Sequence, residues 1–284
     1  MRLEQANVTL NNNSKKARIM AFTIAKGGQL KSTSAVNIAG SIVKEESPGT
    51  KVLIIDVDAQ ANVFTAFGQE ADMLPEGADL SNAILNHTDK EAILNTVHRL
   101  HTDGDSSIDC ISANERCDLL EMTILTNLET FKSPTTLLRD ICTVLEDYYD
   151  YIIIDTPPAY SLLVSNVFMI DRVEVFVPYE PDTYSMRSVI KTMKTFDVFS
   201  QKNSTAQFGG VFATKVKTNT NIHASIINTV RTYTQSTGKP HIKAFIPNSI
   251  KASNSVYYEA LPAVLSSKKS DVVKEYMELW EEIK

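Results

Sequence analysis

Six short apolar runs recur along the chain, at 19–24, 52–55, 151–154, 173–177, 208–212 and 242–246. They are continuous rather than alternating, which is how strands read when both faces of their sheet are covered, as in a parallel sheet. Several of them are separated by stretches with helical spacing. Between Ser34 and Val43 the apolar positions Ala35, Val36, Ile38, Ala39, Ile42 and Val43 suit a helix packed on such a sheet, and "SPGT" at 47–50 ends it. The unit 19–55 therefore predicts strand, loop, helix and strand, with a right-handed crossover. At the other end Val272, Val273, Tyr276, Met277, Trp280 and Ile283 predict an amphipathic helix behind a Ser270 cap. There is no internal repeat. The pattern predicts an α/β protein: a single doubly wound, mostly parallel sheet with helices on both faces over residues 18–284, behind a flexible tail at 1–17.

Composition narrows this only a little. The chain has 284 residues, 43% hydrophobic and 22% charged, the balance of a soluble globular protein. Its start lacks the apolar segment of a signal peptide and no run of about 18 apolar residues follows, so the expectation is a cytoplasmic protein. Cys110, Cys117 and Cys142 form no C-x-x-C pair, which points to buried thiols rather than disulfides or a metal centre. Net charge is −6, which taken alone argues against a nucleic-acid partner. Its distribution argues the other way. From Arg187 to Lys251 there are ten basic residues and one acid, Asp197, a local charge of +9 that leaves −15 elsewhere. Such a segment is either a polyanion-binding face or a run of solvated lysines.

The first apolar run leads into Lys26-Gly27-Gly28-Gln29-Leu30-Lys31-Ser32-Thr33 and then the first helix. A strand-to-helix junction collects unpaired backbone N–H groups and the positive end of a helix dipole, so it is a natural anion seat. The general phosphate-loop pattern asks for glycine at positions 25 and 30, where the chain has Ala25 and Leu30. Gly27 and Gly28 still let the main chain approach a phosphate, Lys31 can reach the outer phosphates, and Ser32 can bind Mg²⁺. Leu30 is tolerable if its dihedrals are right-handed; a left-handed conformation there would cost roughly 1–2 kcal/mol. Spacing alone leaves a nucleotide site and a structural glycine turn both open. The second run ends in "IIDVDAQAN", with Asp56 and Asp58 on one face of an extended chain, followed by Gln60 and Asn62. The third ends in Asp155, with Pro157 and Pro158 forcing a turn. Three such features at the C-terminal ends of strands of one sheet favour a ligand site there.

Together these residues resemble the ParA/Soj family of partition ATPases, within the group that includes MinD, whose deviant phosphate loop reads K-G-G-x-x-K-[ST]. Asp56-x-Asp58-x-Gln60-x-Asn62 is similar to the family's D-x-D-P-Q-x-N, with Ala59 replacing the proline. "YDYIIIDTPPAYSLLVSNVF" resembles its Walker B region. "GGVFATKVKTNTN" and "FIPNSIKASNSVYYEALPAV" resemble later motifs more loosely, with Asn219 and Asn248 where the family has arginine. The likeness runs from about Arg18 to Lys284. It implies ATP and Mg²⁺ as cofactors, bound by Lys26, Gly27, Gly28, Gln29, Leu30, Lys31, Ser32 and Thr33, with Pro247 and Asn248 near adenine. Ser32, Asp56 and Asp155 would serve the metal, Asp58 would orient the attacking water, and Lys26 would cross to the other subunit's phosphates in a dimer that sandwiches two nucleotides.

What the resemblance implies about function is a Mg-dependent ATPase with a weak intrinsic rate, acting in plasmid or chromosome partition. The ATP-bound homodimer would bind double-stranded DNA non-specifically on the nucleoid, and a centromere-binding, ParB-like partner would stimulate hydrolysis and release. Lys215, Lys217 and Lys251 are the DNA-binding candidates. The alternative is a MinD-like positioning ATPase at the membrane, but Glu275, Glu278, Glu281 and Glu282 make the last helix acidic, a poor match to anionic lipid. An iron–sulfur carrier of the same fold lacks cluster cysteines, and a repressor would need a helix-turn-helix that residues 1–17 are too few to form.

Overall fold

In chain order the strands are β1 (Glu4–Gln5), β2 (Arg18–Phe22), β3 (Lys51–Asp56), β4 (His98–Asp103), β5 (Ser106–Ser112), β6 (Tyr151–Asp155), β7 (Glu174–Tyr179) and β8 (Gln207–Ala213). They form one sheet in the order β1-β4-β5-β3-β6-β2-β7-β8. From β5 to β8 every pairing is parallel, and only β1 and β4 run antiparallel to their neighbours. This computed structural model describes residues 4–11, 15–249, 258–267 and 271–284.

The apolar runs are continuous because successive side chains feed two separate cores. Ile19, Ala21, Leu53, Ile55, Ile152 and Ile154 point into one, and Met20, Phe22, Val52, Ile54 and Ile153 into the other. The first core is closed by helices that include α6 (Leu137–Leu145), α7 (Leu162–Phe168) and α8 (Thr183–Ser200). The second is closed by α1 (Lys31–Glu45), α2 (Asn62–Ala66) and the C-terminal helix, here α10 (Asp271–Ile283). The smaller helices α3 (Leu80–Leu85), α4 (Lys90–Leu94) and α5 (Leu120–Thr126) lie in the connections, and α9 (Asn221–Ser236) follows β8. The final helix matches its spacing: Val272, Tyr276, Leu279 and Trp280 are fully buried. Trp280 also donates to Glu46 (3.1 Å) while Arg18 lies over its ring, which fixes α10 against the edge of α1. The proposed Ser270 cap lies outside the described residues. All three cysteines are free and buried.

Three features differ from the sequence expectation. The hairpin β4–β5 lacks an apolar run, because β5 buries Ser106, Ser107, Asp109 and Ser112; Asp109 is accommodated by Arg99 and by the Tyr149 hydroxyl, which donates at 2.9 Å. Residues 242–246 run beside β8 without a continuous ladder. Two amides there, those of Lys243 and Ala244, donate instead to the Glu282 carboxylate of α10 (2.7 and 2.8 Å). The third is the expected tail. Glu4 and Gln5 pair with Arg99 and His98 at the sheet edge, Ala6 is buried, and the Asn11 side chain donates to Asp150 (2.7 Å), so these residues are held against the sheet.

Candidate nucleotide site

The loop between β2 and α1 has two left-handed residues, Gly28 (φ 72°) and Leu30 (φ 61°). Glycine at 28 takes that conformation freely, whereas Leu30 does so against its Cβ, at about 1–2 kcal/mol. The right-handed conformation that would have made Leu30 unremarkable is therefore not the one adopted. Its side chain packs against the core beneath α1, which offsets part of the strain. A consequence is testable: Leu30→Gly should be more stable than Leu30→Ala by about 1 kcal/mol, the reverse of their order in an ordinary helix, because both lose the packing but only glycine relieves the backbone. Chemical denaturation of the two variants measures this, and Ala at or above Gly refutes the strain.

The Gln29 side chain, which the loop pattern leaves unspecified, is buried and organises the loop. Its Oε1 accepts from the Glu180 amide (2.7 Å) and the Ser185 hydroxyl (2.9 Å), and its Nε2 donates to the Gly27 carbonyl (3.2 Å). The same 180–185 segment captures Lys26, whose Nζ donates to Asp182 (2.8 Å) and Ser185 (2.8 Å). Lys26 is thus turned from the pocket that the rest of the loop lines. The lysine and the amides at the N-terminus of α8 hold the Asp182 carboxyl down, to about 2, against the effect of its partial burial. Lys31 is almost wholly buried; desolvation lowers its pKa, opposed by Asp155 and Asp58, and its Nζ reaches the Lys26 carbonyl at 3.4 Å.

The sheet register brings the aspartates to the same rim. Asp155 ends β6 directly opposite Asp56 on β3 and Phe22 on β2. Asp56 is completely buried, and its two oxygens accept the amides of Asp58 (3.1 Å) and Val63 (3.0 Å), so it shapes the loop that carries Asp58. Burial and then the charge of Asp155 raise its pKa well above the carboxylate range. Asp58 faces the pocket, with one oxygen accepting the Gln60 amide (3.1 Å). Both oxygens of Asp155 are buried without a hydrogen-bond partner among the described residues. Burial pushes Asp155 up to about 7, even though Ser32 and Lys31 lie close enough to pull it down. An orphaned buried carboxylate beside a serine and a lysine fits a position that a cation completes.

The pocket holds about 640 Å³, within the range of small-molecule sites. Residues 27–33, Asp58, Gln60 and Asn62 line it, together with Pro247 and Asn248. Two contributions were missed. Val272 and Tyr276 of α10 complete the wall, Tyr276 with its hydroxyl 3.4 Å from that of Ser34. Their helical spacing reads as core, and only the docking of α10 on α1 shows that one turn of it also borders the pocket. The other is Lys215, expected on an outer face, which lines this pocket. Lys217 is exposed, and Lys251 lies outside the described residues.

With this arrangement in view, comparison with known proteins is decisive. A family model described as "AAA domain" matches residues 17–208. A ParA family protein of Mycoplasma genitalium is 31% identical over 273 residues, covering 93% of this chain and 96% of its own. The chain belongs to the ParA family. Its Bacillus subtilis relative, the sporulation initiation inhibitor protein Soj, is 26% identical over 274 residues, covering 94% of this chain and 98% of its own. The fold is shared with a putative plasmid partition protein of Borrelia burgdorferi solved with AMPPNP (TM-score 0.71, 20% identity, 94% of this chain and 98% of that one). The chain is therefore a ParA/Soj-type P-loop ATPase. In this member of the ParA family the "AAA domain" match stops short of the wall built by Lys215, Asn248 and Tyr276, whereas the Mycoplasma relative matches nearly the whole chain.

Proposed function

We propose that this ParA family protein binds ATP with Mg²⁺, dimerises over it, binds double-stranded DNA without sequence preference, and is released when a centromere-binding partner stimulates slow hydrolysis. The observation that carries the ATPase reading is the orphaned Asp155 carboxylate, set beside Ser32 and Lys31 at the mouth of a helix N-terminus. Ser32 and Asp155 would hold the ion, directly or through water. When bound, Mg²⁺ would neutralise the charge developing on the terminal phosphate. The chain's own parts are preorganised for the rest. The first amides of α1 and the Lys31 ammonium bind the phosphates, Asp58 is held by the Gln60 amide where it can orient water, and Val272 and Tyr276 exclude solvent from the pocket wall. Lys26 would reach a partner subunit's phosphates after leaving Asp182.

Support for the DNA reading comes from α8. Arg187, Lys191 and Lys194 lie at i, i+4 and i+7 along one face, beside a groove they line with Ile190, Thr195 and Val198. Among the described residues of the basic segment Lys239 is neutralised by Asp197 and Lys215 pairs with Glu180, while the α8 stripe, Lys202, Lys217, Arg231 and Lys243 are exposed. Charge supports seating on the nucleoid rather than on a membrane. The exposed side of α10 carries Glu278, Glu281 and Glu282, and no described helix is long and apolar enough to cross a bilayer.

The test is DNA retention with nucleotide over a salt series. If six or more phosphates are contacted, affinity should fall by about a thousandfold between roughly 50 and 200 mM salt. Binding that ignores nucleotide, or none at any salt, overturns the DNA arm; phosphate release measured with DNA and the candidate partner tests the hydrolysis arm.

A further inference from the structure

We propose that Lys215 is a nucleotide-binding residue, a second cation of the same chain placed over Gly28 of the phosphate loop to hold the phosphate chain of the bound nucleotide. The proposal rests on the ATPase reading above and adds to it a ligand contact from a part of the chain with no phosphate-loop motif. It also removes Lys215 from the DNA-binding face to which its position in the basic segment would assign it.

Position is the first argument. Lys215 follows β8 and lines the pocket that residues 27–33 also line. Its ammonium lies 3.7 Å from the point where a Cβ on Gly28 would stand. Any ligand drawn onto the loop's backbone amides must come within reach of that charge. Lys26, the loop's own first lysine, is meanwhile held away by Asp182 and Ser185. The cations that face the pocket from this chain are then Lys31 and Lys215.

The second argument is what holds Lys215 there. Its backbone is left-handed (φ 49°), one of five described non-glycine residues with positive φ, and Leu30 and Ala61 (φ 49°) of the same set also flank the pocket. A lysine in that conformation is strained, and the neighbours over-determine it. Thr214 donates its amide to the Tyr179 carbonyl (2.7 Å) and its hydroxyl to the Gln29 carbonyl (3.4 Å), while Val216 donates to the Ile246 carbonyl (3.0 Å). The residues on either side are pinned to the sheet and to the loop, so the side chain between them is directed inward.

Electrostatics complete the case. The one ion pair found for Lys215 is with Glu180, at 3.6 Å, longer than a hydrogen bond, and both side chains are about two-thirds buried. An ammonium in that setting gains from a multiply charged anion placed against it. Glu180 supplies the counter-charge when no anion is present, and its own amide is bonded to Gln29, so Lys215 is linked through Glu180 to the loop.

The experiment measures MgADP and MgATP affinity by calorimetry for the wild type, Lys215→Met, Lys215→Arg and Lys31→Met, at two salt concentrations, with DNA retention at saturating nucleotide alongside. Lys215→Met should weaken both nucleotides by tenfold or more and flatten the salt dependence, Lys215→Arg should recover most of the loss, and DNA retention should persist once nucleotide is saturating. Methionine keeps the length and apolar bulk, and unchanged thermal melting without nucleotide separates lost contact from lost fold. Wild-type affinity in Lys215→Met overturns the proposal, as does normal nucleotide affinity with lost DNA retention, which would return the residue to the DNA face. A wild type that binds neither nucleotide fails the ATPase reading itself; loss in Lys31→Met alone fails only the role of Lys215.

Discussion

Lys31→Ala should abolish nucleotide turnover, lowering the rate of phosphate release at least a hundredfold while leaving a folded protein. Lys31 is the buried cation at the head of α1, its charge favoured by Asp155 and Asp58 against the cost of burial. Its desolvation is already unfavourable without a ligand, so removing it costs the free protein little. With a polyphosphate bound, the same burial makes its charge far more effective than in water, and a trimmed side chain leaves developing negative charge uncompensated. The measurement is steady-state phosphate release with a melting curve for each protein. A residual rate within tenfold of wild type would mean that the loop binds nucleotide without using this lysine for chemistry.

The second large effect concerns Asp155. Its folded pKa of about 7 lies above the ordinary 3.8, so between those values the folded protein holds a proton that the unfolded chain has released. Stability without metal or nucleotide should therefore fall as pH rises from about 4 to about 7, and level off above. Asp56, raised for the same reason, acts with the same sign; Lys31 and Ser32 oppose it, and Asp58 reinforces it. Asp155→Asn keeps the shape and removes the charge. It should melt a few degrees higher than wild type at pH 8 without ligand, with the gap closing toward pH 5. Ligand binding should respond in the opposite direction. Because a metal needs the ionised carboxylate, Mg-dependent nucleotide affinity in the wild type should strengthen as pH rises through about 7, while Asp155→Asn should bind at least tenfold more weakly at pH 8 and lose that pH dependence. Melting curves and titrations over pH 5–8 check both. Equal pH profiles in the two proteins would remove Asp155 from the metal site.

Both effects centre on residues that stand out in the sequence, and the reason is local. An apolar strand that must end at a ligand ends in a residue that does not belong to the core, and a phosphate seat needs glycines and a lysine within a few positions of one strand end. The residues that pair with the loop from elsewhere in the chain are less visible. Asp182 and Ser185 lie more than 150 positions from Lys26, and nothing in "EPDTYS" marks a partner for it. Lys215 was legible as a basic residue offered to DNA with Lys217 and Lys251; its inward direction depends on β8 lying two strands from β2 and on two flanking backbone contacts. The polar strand β5 was hidden because its buried serines and Asp109 find partners on other elements, which periodicity along one segment cannot register.

By itself the sequence determined the parallel core, the deviant phosphate loop, the order of Lys31, Ser32, Asp56, Asp58 and Asp155, and the amphipathic closing helix, because each depends on residues within one strand, turn or helix. Only the tertiary structure decided that Leu30 stands in a strained left-handed turn, that the buried Asp155 oxygens lack a hydrogen bond though Ser32 and Lys31 lie near, that Lys26 is held back by Asp182, and that Lys215 faces the pocket. These depend on which strands lie side by side and on which charges the packing leaves paired, and distance in space, unlike spacing along the chain, exists only once the sheet has formed.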